Sequence, residues 1–175
     1  HDPDFLQQVY KKYADGKEQG FVATNAIEHM NPGDDAYFKG VFEQAAGDDE
    51  PFIKAAALEK IADLSYIKQA IAQEAVVDER FGNPASSFLE KRGPELYKVD
   101  PRFVDELARS AMDMFVRGAA IGLTSDRAVL QTYAELSEEE TDEHRYPFGS
   151  EEAIQADKRL TYKEAAVKRL AQLEE

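Results

Sequence analysis

AAALEKIADLSYIKQAIAQE, residues 55–74, places small and aliphatic side chains at helical spacing on both sides of an aspartate-containing turn. Ile53, Ala57 and Ile61 recur every fourth residue, and Leu64, Ile67, Ile71 and Ala75 continue the stripe beyond Asp63. Such spacing lines up one face of an α-helix. Asp49 can cap the first helix and Pro51 falls in its first turn, where a missing N–H costs nothing. With almost no linker between the two stripes, the reading is an αα-hairpin.

The same pattern runs outward in both directions. HDPDFLQQVYKKYADG has Asp2 or Asp4 as cap, Phe5, Val9 and Tyr13 on one face and Gly16 as its stop; FVATNAIEHMNPG ends before Pro32; and DDAYFKGVFEQAAG gathers Tyr37, Phe38, Val41 and Phe42 before Gly47. Past the hairpin, Gly82, Pro84, Gly93, Pro94 and Pro101 interrupt the periodicity, leaving room for one short helix at ASSFLEK. Residues 83–100 are therefore expected to connect an N-terminal lobe, 1–82, to a C-terminal lobe, 101–175.

Asp100 and Pro101 open what reads as the longest helix, with Phe103, Leu107, Ala111, Met114 and Gly118 in a stripe and the i,i+4 pairs Asp105/Arg109 and Asp113/Arg117 on other faces. It ends near Gly122. GLTSDRAVLQTYAEL, 122–136, then starts afresh with Thr124 as cap and Val129, Leu130, Tyr133 and Leu136 as the apolar face. After the polar stretch SEEETDEHRYPFGS come two short helices, the last opened by a capping box of Thr161 and Glu164 ahead of Ala166, Leu170 and Leu173. No segment alternates as a strand does. The fold expected is all-α: a two-lobed bundle of about eight to ten short antiparallel helices without a sheet.

The 175 residues carry 21 basic and 35 acidic side chains, a net charge of −14. The acid is uneven, with 4 basic against 11 acidic residues in 1–50 and 5 against 10 in 101–150. A surface of this sign repels phosphate backbones and anionic membranes and steers a basic protein toward it, although a plain solubilising surface has the same composition. No apolar run reaches the length of a bilayer span. The expectation is a soluble chain, with the cytoplasm favoured and room for a leader removed ahead of His1. The chain has no cysteine, so disulfides, thiolate metal sites and cysteine nucleophiles are out.

Chemistry is hard to find. His1, His29 and His144 fall in no metal-ligand spacing, and adjacent Glu28 and His29 point in different directions on a helix. No nucleophile elbow, phosphate-binding loop or dinucleotide fingerprint occurs. Ser86, Ser87, Ser110 and Ser125 have no base placed to activate them. No cofactor is expected, and the chain reads as a non-enzyme. The one crowded place is Glu138, Glu139, Glu140, Asp142, Glu143 and His144, followed by Tyr146 and Phe148. It has neither the glycine nor the alternation of a calcium-binding EF-hand loop. These eight residues are the candidate partner-binding segment; a solvated acidic loop is the plainer account of them.

Two resemblances add to this. The alanine-rich helix, aspartate turn and second helix of residues 55–74 resemble one HEAT-type hairpin, and helical repeats of that family are binding scaffolds. Between Phe103 and Leu170, AAIGLTSDRAVLQTYAEL, the loop with Tyr146, Pro147 and Phe148, and RLTYKEAAVKRL together resemble a helical module of bacterial type VI secretion adaptors and effectors, from which the acidic run after Leu136 departs. The resemblance implies a bacterial partner-binding module and brings no catalytic residue. The resulting expectation is a non-catalytic adaptor, chaperone or immunity-type binder of a basic protein. The alternative is a metal-dependent enzyme or metal-binding protein that uses the histidines with nearby acids.

Overall fold

The computed structural model describes residues 3–14, 20–46, 50–76 and 83–174. Among them there are only helices and turns, so the all-α expectation holds. The expected caps at Asp2 and Asp49, the stops at Gly16 and Gly47, and His1 and Gly82 lie outside the described residues. The chain forms two compact units. Among the described residues, one comprises everything up to Glu74 together with 83–92, and the other comprises Ala75, Val76 and 93–174.

The first unit contains α1 (Pro3–Tyr13), α2 (Gly20–His29), α3 (Asp35–Gln44), α4 (Glu50–Lys60) and α5 (Leu64–Glu74). Ile27, Phe38, Ile53, Leu58, Ile61, Ile67 and Ile71 are fully buried and form its core. Removing such aliphatic surface from water contributes roughly 1.5–3 kcal/mol per large side chain, the main favourable term in a bundle of short helices. Leu64, assigned to this stripe from its spacing, is instead exposed, as is Phe5 on α1.

The α4–α5 turn is built by two aspartates. Asp35 accepts the N–H groups of Ala62 and Asp63, each at 2.9 Å, while Asp63 accepts those of Ser65 and Tyr66 and so caps α5. α4 packs on α2 and α3 and is tied to α5 by Lys54, 3.0 Å from Glu74. Alanines 55, 56 and 57 are all buried, so α4 is enclosed on more than one face.

The expected connection at 83–100 is a helix, α6 (Pro84–Val99). Its start is sealed by Asn83, which is fully buried: Oδ1 accepts the Ala85 N–H at 2.9 Å and Nδ2 donates to the Glu74 carbonyl at 3.1 Å. Asn followed by Pro starts a helix here, where the glycine and proline pattern predicts a break. Phe88 and Leu89 bury in the first unit and Leu96 is buried farther along the helix. Gly93 and Pro94, expected to interrupt the helical pattern, lie inside it. A Cβ on Gly93 would meet the end of the Leu123 side chain, which would have to shift to make room.

The second unit adds α7 (Pro101–Ser110), α8 (Met114–Ile121), α9 (Arg127–Ala134), α10 (Glu138–Thr141), a 3-10 turn (Glu143–Arg145) and α11 (Glu151–Gln172). The expected longest helix from Pro101 to Gly122 is divided into α7 and α8. Asp113 is the reason: its Oδ1 takes the N–H groups of Phe115 and Val116 at 3.0 and 2.9 Å, a cap that starts a new helix. The freed Met112 and Asp113 N–H groups donate to the Ala75 carbonyl. Neither expected i,i+4 pair forms as an ion pair. Arg109 pairs with Asp126 and Asp105 accepts from Thr124, while the Arg117 Nε donates to the Ala111 carbonyl at 2.7 Å.

α9 starts two residues later than expected. Asp126, not Thr124, is the cap, accepting from Ala128 and Val129, and the Thr124 hydroxyl instead receives the Asp126 N–H. Val129 and Leu130 are buried as expected. The two expected C-terminal helices are one 22-residue helix, α11. Thr161 is no cap there; its hydroxyl donates to the Asp157 carbonyl one turn back. Tyr162 and Ala166 bury, and Arg169 donates to the carbonyls of Leu123 and Thr124, which closes the α8–α9 corner against α11.

Candidate functional site

The segment that sequence singles out lies in the second unit between α9 and α11. Ser137 and Glu140 form a capping box: the Glu140 N–H donates to Ser137 Oγ at 3.3 Å and the Ser137 N–H donates back to Glu140 Oε2 at 2.9 Å. These bonds from Ser137, the backbone N–H foremost, hold the Glu140 carboxyl below its ordinary range, with a smaller contribution from the positive charges of Arg159 and Lys163. Glu140 is therefore a structural residue. Ser137 and Glu140 stand three apart in a recognisable box, a signal present in the sequence but overlooked among the acids around it.

Asp142 caps the following 3-10 turn by accepting the His144 N–H at 3.0 Å. Thr141 is buried and its hydroxyl donates to the Ser137 carbonyl, which anchors the short helix. Arg145 reaches back to Glu139 at 3.1 Å, and His144 Nε2 stands 3.9 Å from Glu143 with both side chains well exposed. Then the chain turns: Ser150 donates to the Pro147 carbonyl, and Gly149 sits at φ +75°, a left-handed conformation suited to glycine. This turn leaves Phe148 fully exposed.

Four of the eight expected residues share one groove. Glu143, His144, Tyr146 and Phe148 line a cavity of about 510 Å³ with Gly149 and with Ala153, Ile154 and Asp157 from the first turns of α11. Glu138, Glu139, Glu140 and Asp142 do not line it, although the first three form the exposed face of α10 beside it in sequence. Ala153, Ile154 and Asp157 form the groove's second wall because 151–172 is one helix instead of the two short ones expected.

The arrangement sets the apolar surfaces of Tyr146, Phe148, Ala153 and Ile154 beside the carboxylates of Glu143 and Asp157. No serine lines it, and its one imidazole is exposed. No family model, curated protein or solved structure matches this chain. The geometry therefore carries the functional reading by itself.

For the metal reading, His29 is exposed and its Nδ1 stands 2.9 Å from the Asn25 carbonyl on its own helix. Among the described residues no group of three or more histidine, aspartate or glutamate side chains is placed to hold a metal ion. Among them, too, no helix is long and apolar enough to cross a membrane.

Proposed function

We propose that the chain is a non-catalytic protein-binding module, of adaptor, chaperone or immunity type, and that it takes a basic partner on the groove between the 143–149 turn and α11. The observation that carries this reading is the fully exposed Phe148, held out by the Pro147–Ser150 turn over a groove with Glu143 and Asp157 in its wall. Aromatic side chains at the centre of a polar border are where binding energy concentrates in protein interfaces. Burying a phenylalanine against a partner also removes its apolar surface from water, which gives the exposed ring a physical use.

Charge decides the class of partner. Glu138, Glu139, Asp142 and Glu143 stand within six positions, all exposed, in a chain of net charge −14. A lysine- or arginine-bearing surface with an apolar side chain among its cations complements both features. The test is affinity capture from the native host with the wild-type chain and with Phe148→Ala, followed by calorimetry on the purified partner. The expected result is a basic partner whose affinity falls at least tenfold with Phe148→Ala and weakens as salt rises, since exposed charges are screened beyond about 8 Å at physiological ionic strength. Equal affinity of that partner for both proteins, or affinity independent of salt, defeats the reading.

A further inference from the structure

Glu74, at the end of α5, is only 6% exposed, and its carboxylate is used on one side alone. Oε1 lies 3.0 Å from the Lys54 ammonium, while Oε2 is buried with no hydrogen-bond partner among the described residues. An enclosed acceptor without a donor is costly, so such an atom marks a place where a donor from outside belongs. The same side chain lines a cavity of about 280 Å³ within the first unit. Phe42 and Glu43 reach it from α3, Lys54 from α4, and Tyr66, Gln69 and Gln73 from α5.

The polar groups of this wall divide into those already committed and those with capacity left. Lys54 is committed, standing 2.7 Å from Glu50 as well as near Glu74, with its ammonium 5.2 Å from the centre of the Phe42 ring. The Tyr66 hydroxyl donates to Glu43 Oε1 at 3.2 Å, and burial together with the Glu43 charge pushes it up to about 12, so it stays a donor at neutral pH. That leaves Glu43 Oε2 for another donor. The amides of Gln69 and Gln73, exposed and one turn apart on α5, bond to no other described residue. Phe42 meets Tyr66 edge to face at 6.1 Å, and Phe42 and Ala70 supply a buried apolar side.

Charge selects among the ligands such a wall could take. Two carboxylates and one ammonium line the cavity, which leaves one negative charge in surplus. Lys39, 5.0 Å from the Tyr66 ring centre, is paired with Asp63 at 2.7 Å and does not alter that balance.

We propose that this cavity binds a small organic monocation with an amidinium or guanidinium head. Its charge offsets the surplus carboxylate, and its N–H groups serve Glu74 Oε2, Glu43 Oε2 and the amide carbonyls of Gln69 and Gln73, all of which accept. A planar delocalised head pairs with a carboxylate through two donors and is less strongly hydrated than an ammonium, so entering a half-enclosed site costs it less. The volume is at the small end of ligand sites, which suits such a head with a short apolar body against Phe42 and Ala70. The site uses none of the residues of the Phe148 groove and stands independently of it.

An amide NMR titration at low salt, with benzamidine, its neutral isostere benzamide and benzylamine as probes, tests the assignment. Benzamidine is expected to give saturable shifts at Glu43, Gln69 and Gln73, with the other two binding more weakly. Glu74→Gln and Glu43→Gln are each expected to weaken benzamidine about tenfold, the scale of one charge-assisted hydrogen bond. Glu43→Gln, at an exposed position, keeps the test independent of any loss of folding in Glu74→Gln. Glu90→Gln removes the same charge from this unit outside the cavity wall and is expected to leave binding unchanged. Absence of saturable shifts at these residues, or equal affinity in Glu43→Gln and wild type, overturns the site. Equal binding of benzamide overturns the cation, and equal binding of benzylamine overturns the planar head.

Discussion

Lys54 in the first unit lies 2.7 Å from Glu50 and 3.0 Å from Glu74, whose side chain is almost completely enclosed; Arg145 in the second lies 3.1 Å from Glu139 with both side chains largely in water. The distances are alike and the energetics are not. Desolvated charges depend on their partners, because an abandoned carboxylate in a poorly solvated place is costly, whereas exposed pairs gain little over hydration and are screened by salt. The acids of the α3–α5 region, Asp35, Asp63 and Glu74, thus serve the fold. Most of those at 138–143 remain turned outward, available to another molecule.

The sharpest way to break this contrast is to remove one cation from each side. Lys54→Ala leaves Glu74 enclosed without its ammonium, and the expected loss is about 2–4 kcal/mol, between the limits for exposed and fully buried pairs. Urea denaturation measures it, and adding Glu74→Gln to Lys54→Ala should recover part of the loss; a loss below about 0.5 kcal/mol would place this pair in the surface class. Next comes Asp126→Ala, which removes the α9 cap and the partner of Arg109, with an expected cost of about 1 kcal/mol. Asp126→Asn, which can still cap, should cost visibly less in the same assay.

Acid should act in the same direction on both units. Asp63 is held below the ordinary carboxylate range by Lys39 and by the Tyr66 N–H, Asp126 by the Val129 N–H with help from Ala128 and Arg109, and Glu140 by Ser137. A depressed folded-state value means stability is present above the unfolded value and is lost as pH falls through the folded one. The urea midpoint should therefore be level near neutrality and drop once pH passes below the usual carboxylate values, with Asp126→Asn showing a shallower drop. A midpoint that rises on acidification would contradict the assignment. The smallest effect belongs to Arg145→Ala, expected within about 0.5 kcal/mol of wild type in the same denaturation experiment.

Periodicity alone gave the helices, the absence of strands among the described residues and the burial of Ile53, Ile61, Ile67, Ile71, Val129 and Leu130, because a repeat near 3.6 residues is a property of the chain before it folds. Boundaries were less legible where two local signals competed. Asn83–Pro84 opens a helix that glycine and proline seemed to forbid, Asp113 splits a helix whose stripe ran unbroken, and Thr161 forgoes a cap to stay inside α11. In each case a partner distant in sequence or the enclosure of the segment tips the balance, as when Asn83 reaches the Glu74 carbonyl and Arg169 holds those of Leu123 and Thr124.

Half of the candidate groove was visible in the same way. Glu143, His144, Tyr146 and Phe148 stand out in the chain, yet Ala153, Ile154 and Asp157 become wall residues only when 151–172 is one helix. That Arg117 and Lys158 line one cavity was not visible, since they lie 41 positions apart and nothing periodic connects them. What the sequence by itself determined is the helical class, the acidic excess and the apolar stripes, which depend on neighbours three and four residues apart. The tertiary structure alone decided which acids are enclosed and which face water, and which cations share a cavity. Both depend on solvation, which is set when segments far apart in the chain exclude water between them.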